Sequence, residues 1–245
     1  AQDRVHFHCD LIFGLPGENM EKILNSFRKV LSLKPHELQL GFLKFLPGAP
    51  IKNKIKSHEY RYQSTPPYEF ISNKELDAEE VDYLKKFADI FDRFYNSKRF
   101  RFSINHLLQK TDSVTLFDRL LQYHESNNLF MNPIGLDKQY EIFQKIFFTT
   151  PSIENKDLLK LDYLYSQRAY RLPTFLSEKS IFSGKTWKQD RKTPIISFQH
   201  KIEISGSEAH LKSVEHPVYY AIAHSNTGDG YFHRPILNMI EDQEK

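Results

Sequence analysis

Apolar positions along the chain change period several times, and each change marks an element. Residues 5–13 form an apolar-rich run of strand length that breaks into Gly14, Pro16 and Gly17. The spacing then turns helical. Ile23, Phe27, Val30 and Leu31 share a face, Glu18 and Glu21 sit where the helix dipole favours acids, and Pro35 stops the segment, which predicts a helix over 19–33. Residues 38–46 are nearly continuous in apolar character, as expected of a strand covered on both faces, and Pro47, Gly48 and Pro50 end it. Residues 5–46 therefore read as a β-α-β unit with parallel strands, whose Gly- and Pro-rich ends lie where α/β folds hold ligands.

Pro66 and Pro67 in residues 51–70 predict an extended, partly irregular connector, with Tyr60, Tyr62, Tyr68 and Phe70 as amphipathic rings packed at the surface in preference to stacking on a ligand. Asp77 and Glu80 have the spacing of a capping box, and Leu76 and Val81 that of a hydrophobic staple. The helix they open should run to Asn96, with Val81, Leu84, Phe87, Ala88, Phe91, Phe94 and Tyr95 on a broad apolar face that needs a partner. Helical periodicity recurs at 113–125, 137–148 and 156–169. After Pro173, a linker containing Trp187 leads to a strand at 195–204, where Ile196, Phe198, Ile202 and Ile204 share a parity with His200. A turn at Ser205-Gly206-Ser207 and strands at 208–214 and 217–224 would complete a small antiparallel sheet.

A chain of 245 residues buries a substantial core, by size scaling about 70–75% of its unfolded surface. With 40% hydrophobic and 27% charged residues it fits neither wholesale disorder nor a membrane protein. The formal charge of +3 comes from intermixed acids and bases, so no basic stripe points to nucleic acid. Cys9 is the single cysteine, which rules out an internal disulfide or a four-cysteine zinc site and fits a reducing cytoplasm. The start Ala-Gln-Asp-Arg runs almost at once into a strand pattern, so further chain is expected upstream.

The Gly14-Leu15-Pro16-Gly17-Glu18 turn opens a helix, but it carries neither the Walker pattern nor the Rossmann fingerprint. His6, His8 and Asp10 share one face of a strand, a geometry that holds a divalent ion in some hydrolase barrels. They lie at the strand's N-terminal end, however, whereas barrel sites gather at the C-terminal rim. Lys44 reaches either a cavity or solvent. His200, His210, His216, His224 and His233 lack paired ligand spacing and read as surface or sheet residues.

The run from Asp10 to Glu18, the helix, and the strand ending Phe45-Leu46-Pro47-Gly48-Ala49-Pro50 together resemble the late barrel strands of radical S-adenosylmethionine enzymes. The likeness is to the cobalamin-binding subgroup that includes proteins labelled magnesium-protoporphyrin monomethyl ester oxidative cyclase. Residues 58–68 and 162–175, with Arg168-Ala169-Tyr170-Arg171-Leu172-Pro173, resemble a C-terminal domain attached to some members. The resemblance implies an α/β fold in which a truncated parallel barrel, a β-α-β unit, is followed by a mainly helical region and a small antiparallel sheet. It places the barrel part in 1–58 and the appended helical and β domain in 59–245. Ile12, Gly14 and Leu15 would pack on the adenosine of S-adenosylmethionine, and backbone at Phe45 and Leu46 would contact adenine. Asp10 stands where a glycine often opens the motif, and Glu18 lies one residue later than the usual acid.

The implied cofactors are S-adenosylmethionine, an iron-sulfur cluster and cobalamin, and the implied partners are an upstream barrel, a cobalamin-binding portion and a small-molecule substrate. The family's C-x-x-x-C-x-x-C loop supplies three thiolates to its cluster, which Cys9 alone cannot. The chain is thus expected to be inactive by itself, a fragment giving part of the adenosine pocket and the substrate cover. Two other readings are a non-catalytic interaction module, docking through the 77–96 helix and the C-terminal sheet, and a metal-dependent hydrolase built on His6 and His8. Neither nucleic acid nor membrane is an expected partner.

Overall fold

A computed structural model describes residues 7–148, 152–166, 172–177, 195–205, 208–224 and 235–240. The first strand, β1 (His8–Phe13), gives way at Gly14 to a turn, and α1 (Met20–Ser32) starts at Asn19, whose side chain accepts the Lys22 N–H at 3.1 Å. β2 (Glu37–Phe42) returns parallel to β1, with Cys9 opposite Leu38, Leu11 opposite Leu40 and Phe13 opposite Phe42. That register gathers Leu11, Phe13, Leu40 and Phe42 on one face, where they pack with Met20 and Ile23 of α1. The opposite face carries His8, Asp10 and Ile12 from β1 and Glu37 and Gln39 from β2, all exposed.

The expectation that the second strand is covered on both faces is therefore corrected. The apolar run over 38–46 serves two partners in succession. Leu38, Leu40 and Phe42 face the helices, and after Phe42 the chain leaves β1 and pairs with a hairpin, β3 (Arg61–Tyr62) and β4 (Phe70–Ser72). Lys44 bridges Glu69, the Phe45 N–H donates to Tyr68 O at 2.8 Å, and the Phe70 N–H donates to Leu43 O at 3.0 Å. The surface placement of the connector's rings is also corrected, because Phe70 is fully buried and Tyr60 is 5% exposed. Phe45 lies between Tyr60 and Tyr62, ring centroids 4.9 and 4.7 Å away. The hairpin alternates buried Phe70 and Ser72 with exposed Ile71, a period of two that the Pro-rich and charged neighbours obscure in the sequence.

The capping box forms as expected: Asp77 Oδ1 accepts the Glu80 N–H at 2.8 Å, and Glu80 Oε2 accepts the Asp77 N–H at 3.0 Å. It opens α2 (Ala78–Phe91), which continues as a π turn over Asp92–Asn96. Leu76 and Val81 are buried in one cluster with Leu84, Phe13 and Phe70. The broad aromatic face finds its partner in α1 and in α4 (Ser113–Ser126), with Phe27 in edge contact with Phe87, Phe91 and Phe117. These elements make one compact unit, residues 1–97 with 111–125.

Within that unit His124 is completely buried against Phe94 and bonds Leu120 O through Nδ1 at 2.7 Å. Burial holds its imidazole below the ordinary value of 6.5, against the pull of the Leu120 carbonyl. The unfolded chain then takes up a proton, as pH falls below 6.5, that the folded chain refuses, so stability is present above that value and lost below it. His124→Gln should flatten this dependence, which urea midpoints at about pH 7.5 and 5.5 would measure against the parent chain.

The second compact unit comprises residues 98–110 and 126–245. It contains α3 (Arg101–Leu108), α5 (Leu136–Phe147), α6 (Ile153–Ser166) and an antiparallel sheet in the order β5 (Ile195–Ser205), β6 (Glu208–His224), β7 (Pro235–Ile240). The helices expected at 113–125, 137–148 and 156–169 correspond to α4, α5 and α6. Neither α3 nor β7 is anticipated by the sequence pattern, and the strands expected at 208–214 and 217–224 are a single element. The 205–207 turn, Trp187 and the Arg168–Arg171 run fall at least partly outside the described residues. The architecture is mixed α/β. Packing joins residues 59–97 to the β-α-β unit, whereas the sequence reading divides the chain after residue 58. Among the described residues no helix is long and apolar enough to cross a membrane.

Candidate functional site

The C-terminal ends of β1 and β2 are held by side chains distant in sequence. Gly14 has a φ of 90°, and the Tyr60 hydroxyl donates to its carbonyl at 2.7 Å. The next turn closes on itself: the Glu18 N–H donates to Leu15 O at 3.2 Å, and Lys22 Nζ donates to Gly17 O at 2.8 Å. Burial raises the Glu18 pKa, against the lowering influence of the Leu15 backbone and the Lys22 charge. Burial also raises the Tyr60 phenol, with the Glu75 and Glu18 carboxylates adding to the effect.

Around this rim three large apolar side chains meet solvent: Ile12 at 51%, Leu15 at 38% and Leu46 at 52% exposure. Of the five residues expected to contact adenosine, these three are presented outward and Gly14 is fixed by its carbonyl. Phe45 differs, because its ring is in the core and its N–H is already bonded to Tyr68 O. Lys44 is exposed.

A polar group that the sequence reading did not single out lies beside Tyr60. Asn73 Oδ1 accepts the N–H groups of Glu75 at 2.9 Å and Leu76 at 2.8 Å, which fixes the approach to α2. His58 Nδ1 stands 3.5 Å from Glu75 Oε1 without forming a hydrogen bond, and Glu75 Oε2 is buried with no partner among the described residues. No local spacing signals this group, since His58 and Glu75 meet only through the hairpin between them.

On the uncovered face His8 Nε2 bonds Asp10 Oδ1 at 2.9 Å, with Glu37 Oε2 3.5 Å from Nδ1. The Asp10 hydrogen bond, ahead of the Asp10 and Glu37 charges, raises the imidazole pKa. His8 opens β1 at the end away from the rim, and His6 lies outside the described residues.

The two edges of the parallel pair differ. Alternate residues of β2 bond β1, as with Glu37 to Phe7 O, which turns the Leu38 peptide groups to the other edge. There Asn96 takes a strand's place: Leu38 N–H donates to Asn96 Oδ1 at 3.2 Å, and Asn96 Nδ2 donates to Leu38 O at 3.0 Å. The π turn after α2 delivers this amide and also Tyr95, whose hydroxyl donates to Pro35 O at 2.7 Å. The outer edge of β2 is thereby stopped at Leu38, while β1 has no second strand neighbour among the described residues.

A family model described as a protein of unknown function (DUF4080) matches residues 56–217, more than half of the chain. Curated proteins yield no match.

Proposed function

The chain belongs to that family of unknown function, and on this premise we propose that it is the distal part of a radical S-adenosylmethionine enzyme, giving the last wall of the barrel and part of the adenosine pocket. The parallel pair carries the reading. Parallel strands are ordinarily covered on both faces and flanked by further strands, yet β1 and β2 have helices on one face, exposed side chains on the other, and, among the described residues, no second strand beside β1. Those are the features of a wall whose inner face and preceding strands belong to a larger cylinder. The family itself is found in cobalamin-binding radical S-adenosylmethionine proteins, which accords with the resemblance of residues 10–50.

The rim fits a nucleoside. Ile12, Leu15 and Leu46 offer apolar contact to a flat base, Tyr60 holds the Gly14 carbonyl, and Lys22 holds the Gly17 carbonyl, so the turn is set before a ligand arrives. Bound S-adenosylmethionine would supply the radical precursor in the parent enzyme. The cluster does not fit: Cys9 is the single thiol and is half-buried in β1, so no step through iron follows from this chain. The cobalamin site would likewise belong to the preceding portion.

The coding frame upstream of Ala1 should hold a three-cysteine loop, and the longer product, reconstituted with iron and sulfide, should show a four-iron-four-sulfur spectrum and cleave S-adenosylmethionine. A frame without such a loop defeats the proposal, as does a stoichiometric cluster formed by the 245-residue chain alone.

A further inference from the structure

Helix α6 is buried over residues 157–164 and still carries Asp157 at 0% and Lys160 at 1% exposure. Charges so placed persist only when fully paired. Lys160 Nζ stands 3.2 Å from Asp157 Oδ1 and donates to Ser197 O at 2.9 Å. Asp157 Oδ2 accepts the Gln199 N–H at 2.8 Å and meets His200 Nδ1 at 2.9 Å. The bonds to Ser197 and Gln199 already tie α6 to β5. The imidazole is a third partner beyond what that attachment requires.

The β-ladder opens at the same place. Phe198 pairs with Val218 and His200 with Ser213, so the single residue Gln199 faces residues 214–217 of β6, all of them exposed. An irregularity of this kind re-aims side chains and frees backbone groups, and here it sends the Gln199 N–H to Asp157. A carboxylate on Nδ1 selects the tautomer whose Nε2 is an acceptor. The His200 side chain is 15% exposed, screened from bulk water but within reach. Lys160 on α6, Tyr220 and the exposed Glu215 and His216 of β6 are the other titratable groups of this region.

We propose that His200 is the proton-accepting group of a separate site in the second unit, for a ligand that presents a weakly acidic hydroxyl. The ligand's O–H bond breaks as Nε2–H forms, the positive charge stays on the imidazolium against Asp157, and the proton returns by the same path. Asp157 is the positioning residue. This inference stands on α6 and β5 and does not depend on the radical-enzyme reading.

Diethyl pyrocarbonate, applied to the full folded chain and read residue by residue through peptide mass mapping, tests it, with the exposed His210 and His216 as internal references. His200 should react at least about fivefold faster than either, and Asp157→Asn should slow it about tenfold while the references hold. Nitrogen NMR of the parent chain, which needs no variant to fold, should show the Nδ1–H tautomer at His200. Phenol should shift that Nε2 resonance, and His200→Asn, whose amide keeps a donor toward Asp157, should abolish the phenol response. A His200 rate below both references, an Nε2–H tautomer, or no response to phenol overturns the proposal.

Discussion

Gly14→Ala should destabilise the first unit by about 2–5 kcal/mol, a large share of the margin by which a domain of this size is stable. Two independent costs add. The backbone at Gly14 has φ near 90°, where a side chain is strained by about 1–2 kcal/mol. A Cβ would also lie 2.8 Å from Phe70 Cε2 and closer still to Cε1 and Cζ, and Phe70 is fully buried against Phe42 and Tyr60 with no space to retreat. Movement of the turn would loosen the bond from Tyr60 to the Gly14 carbonyl as well. Adding Phe70→Leu should recover the steric share and leave the backbone share. Urea unfolding followed by circular dichroism measures both, and a loss under about 1 kcal/mol for Gly14→Ala would contradict the packing described.

Asp162→Ala is the corresponding lesion in the second unit. The Asp162 carboxylate is 1% exposed and accepts the N–H groups of Phe102 and Ser103, each at 2.9 Å, in the first turn of α3. Phe100, at the N-cap of that helix, makes no side-chain cap, so a residue some sixty positions away caps it instead. Alanine would leave two buried donors without an acceptor, at a cost of about 2–5 kcal/mol. Burial pushes the Asp162 pKa up to about 7, while the bonds from Ser103 and Phe102 and the Arg101 charge draw it down. The folded chain therefore keeps a proton that the unfolded chain has released. The contribution is fully present below the ordinary value of 3.8 and is lost as pH rises through about 7. Asp162→Asn should remove that slope, a sense opposite to that of His124, and paired denaturation curves across this range would separate the two. A parent chain and Asp162→Asn with parallel pH profiles would show that the carboxyl does not titrate there.

The sequence by itself determined the elements whose signals are local. The parallel β-α-β unit followed from a strand-length run, a helical period and a second run. The capping box at Asp77 and Glu80 and the helices near 113, 137 and 156 rest on residues three or four apart, and those spacings carry their geometry within a turn. Ile12, Leu15 and Leu46, expected as adenosine contacts only through the family resemblance, are solvent-facing.

Contacts across long separations were decided only by the tertiary structure. α3 has no cap of its own and exists against Asp162; the edge of β2 is closed by Asn96, a polar residue that reads as ordinary helix surface; and Phe45 turns inward because Tyr60 and Tyr62 return beside it. The network of Asp157, Lys160 and His200 joins a helix to a strand about forty residues away, and it gives His200, a sheet residue as the spacing reads, a buried carboxylate partner. The physical reason is common to all of these. A hydrogen bond or a buried charge is worth keeping only where water is excluded, and exclusion belongs to the packed surfaces rather than to any stretch of chain.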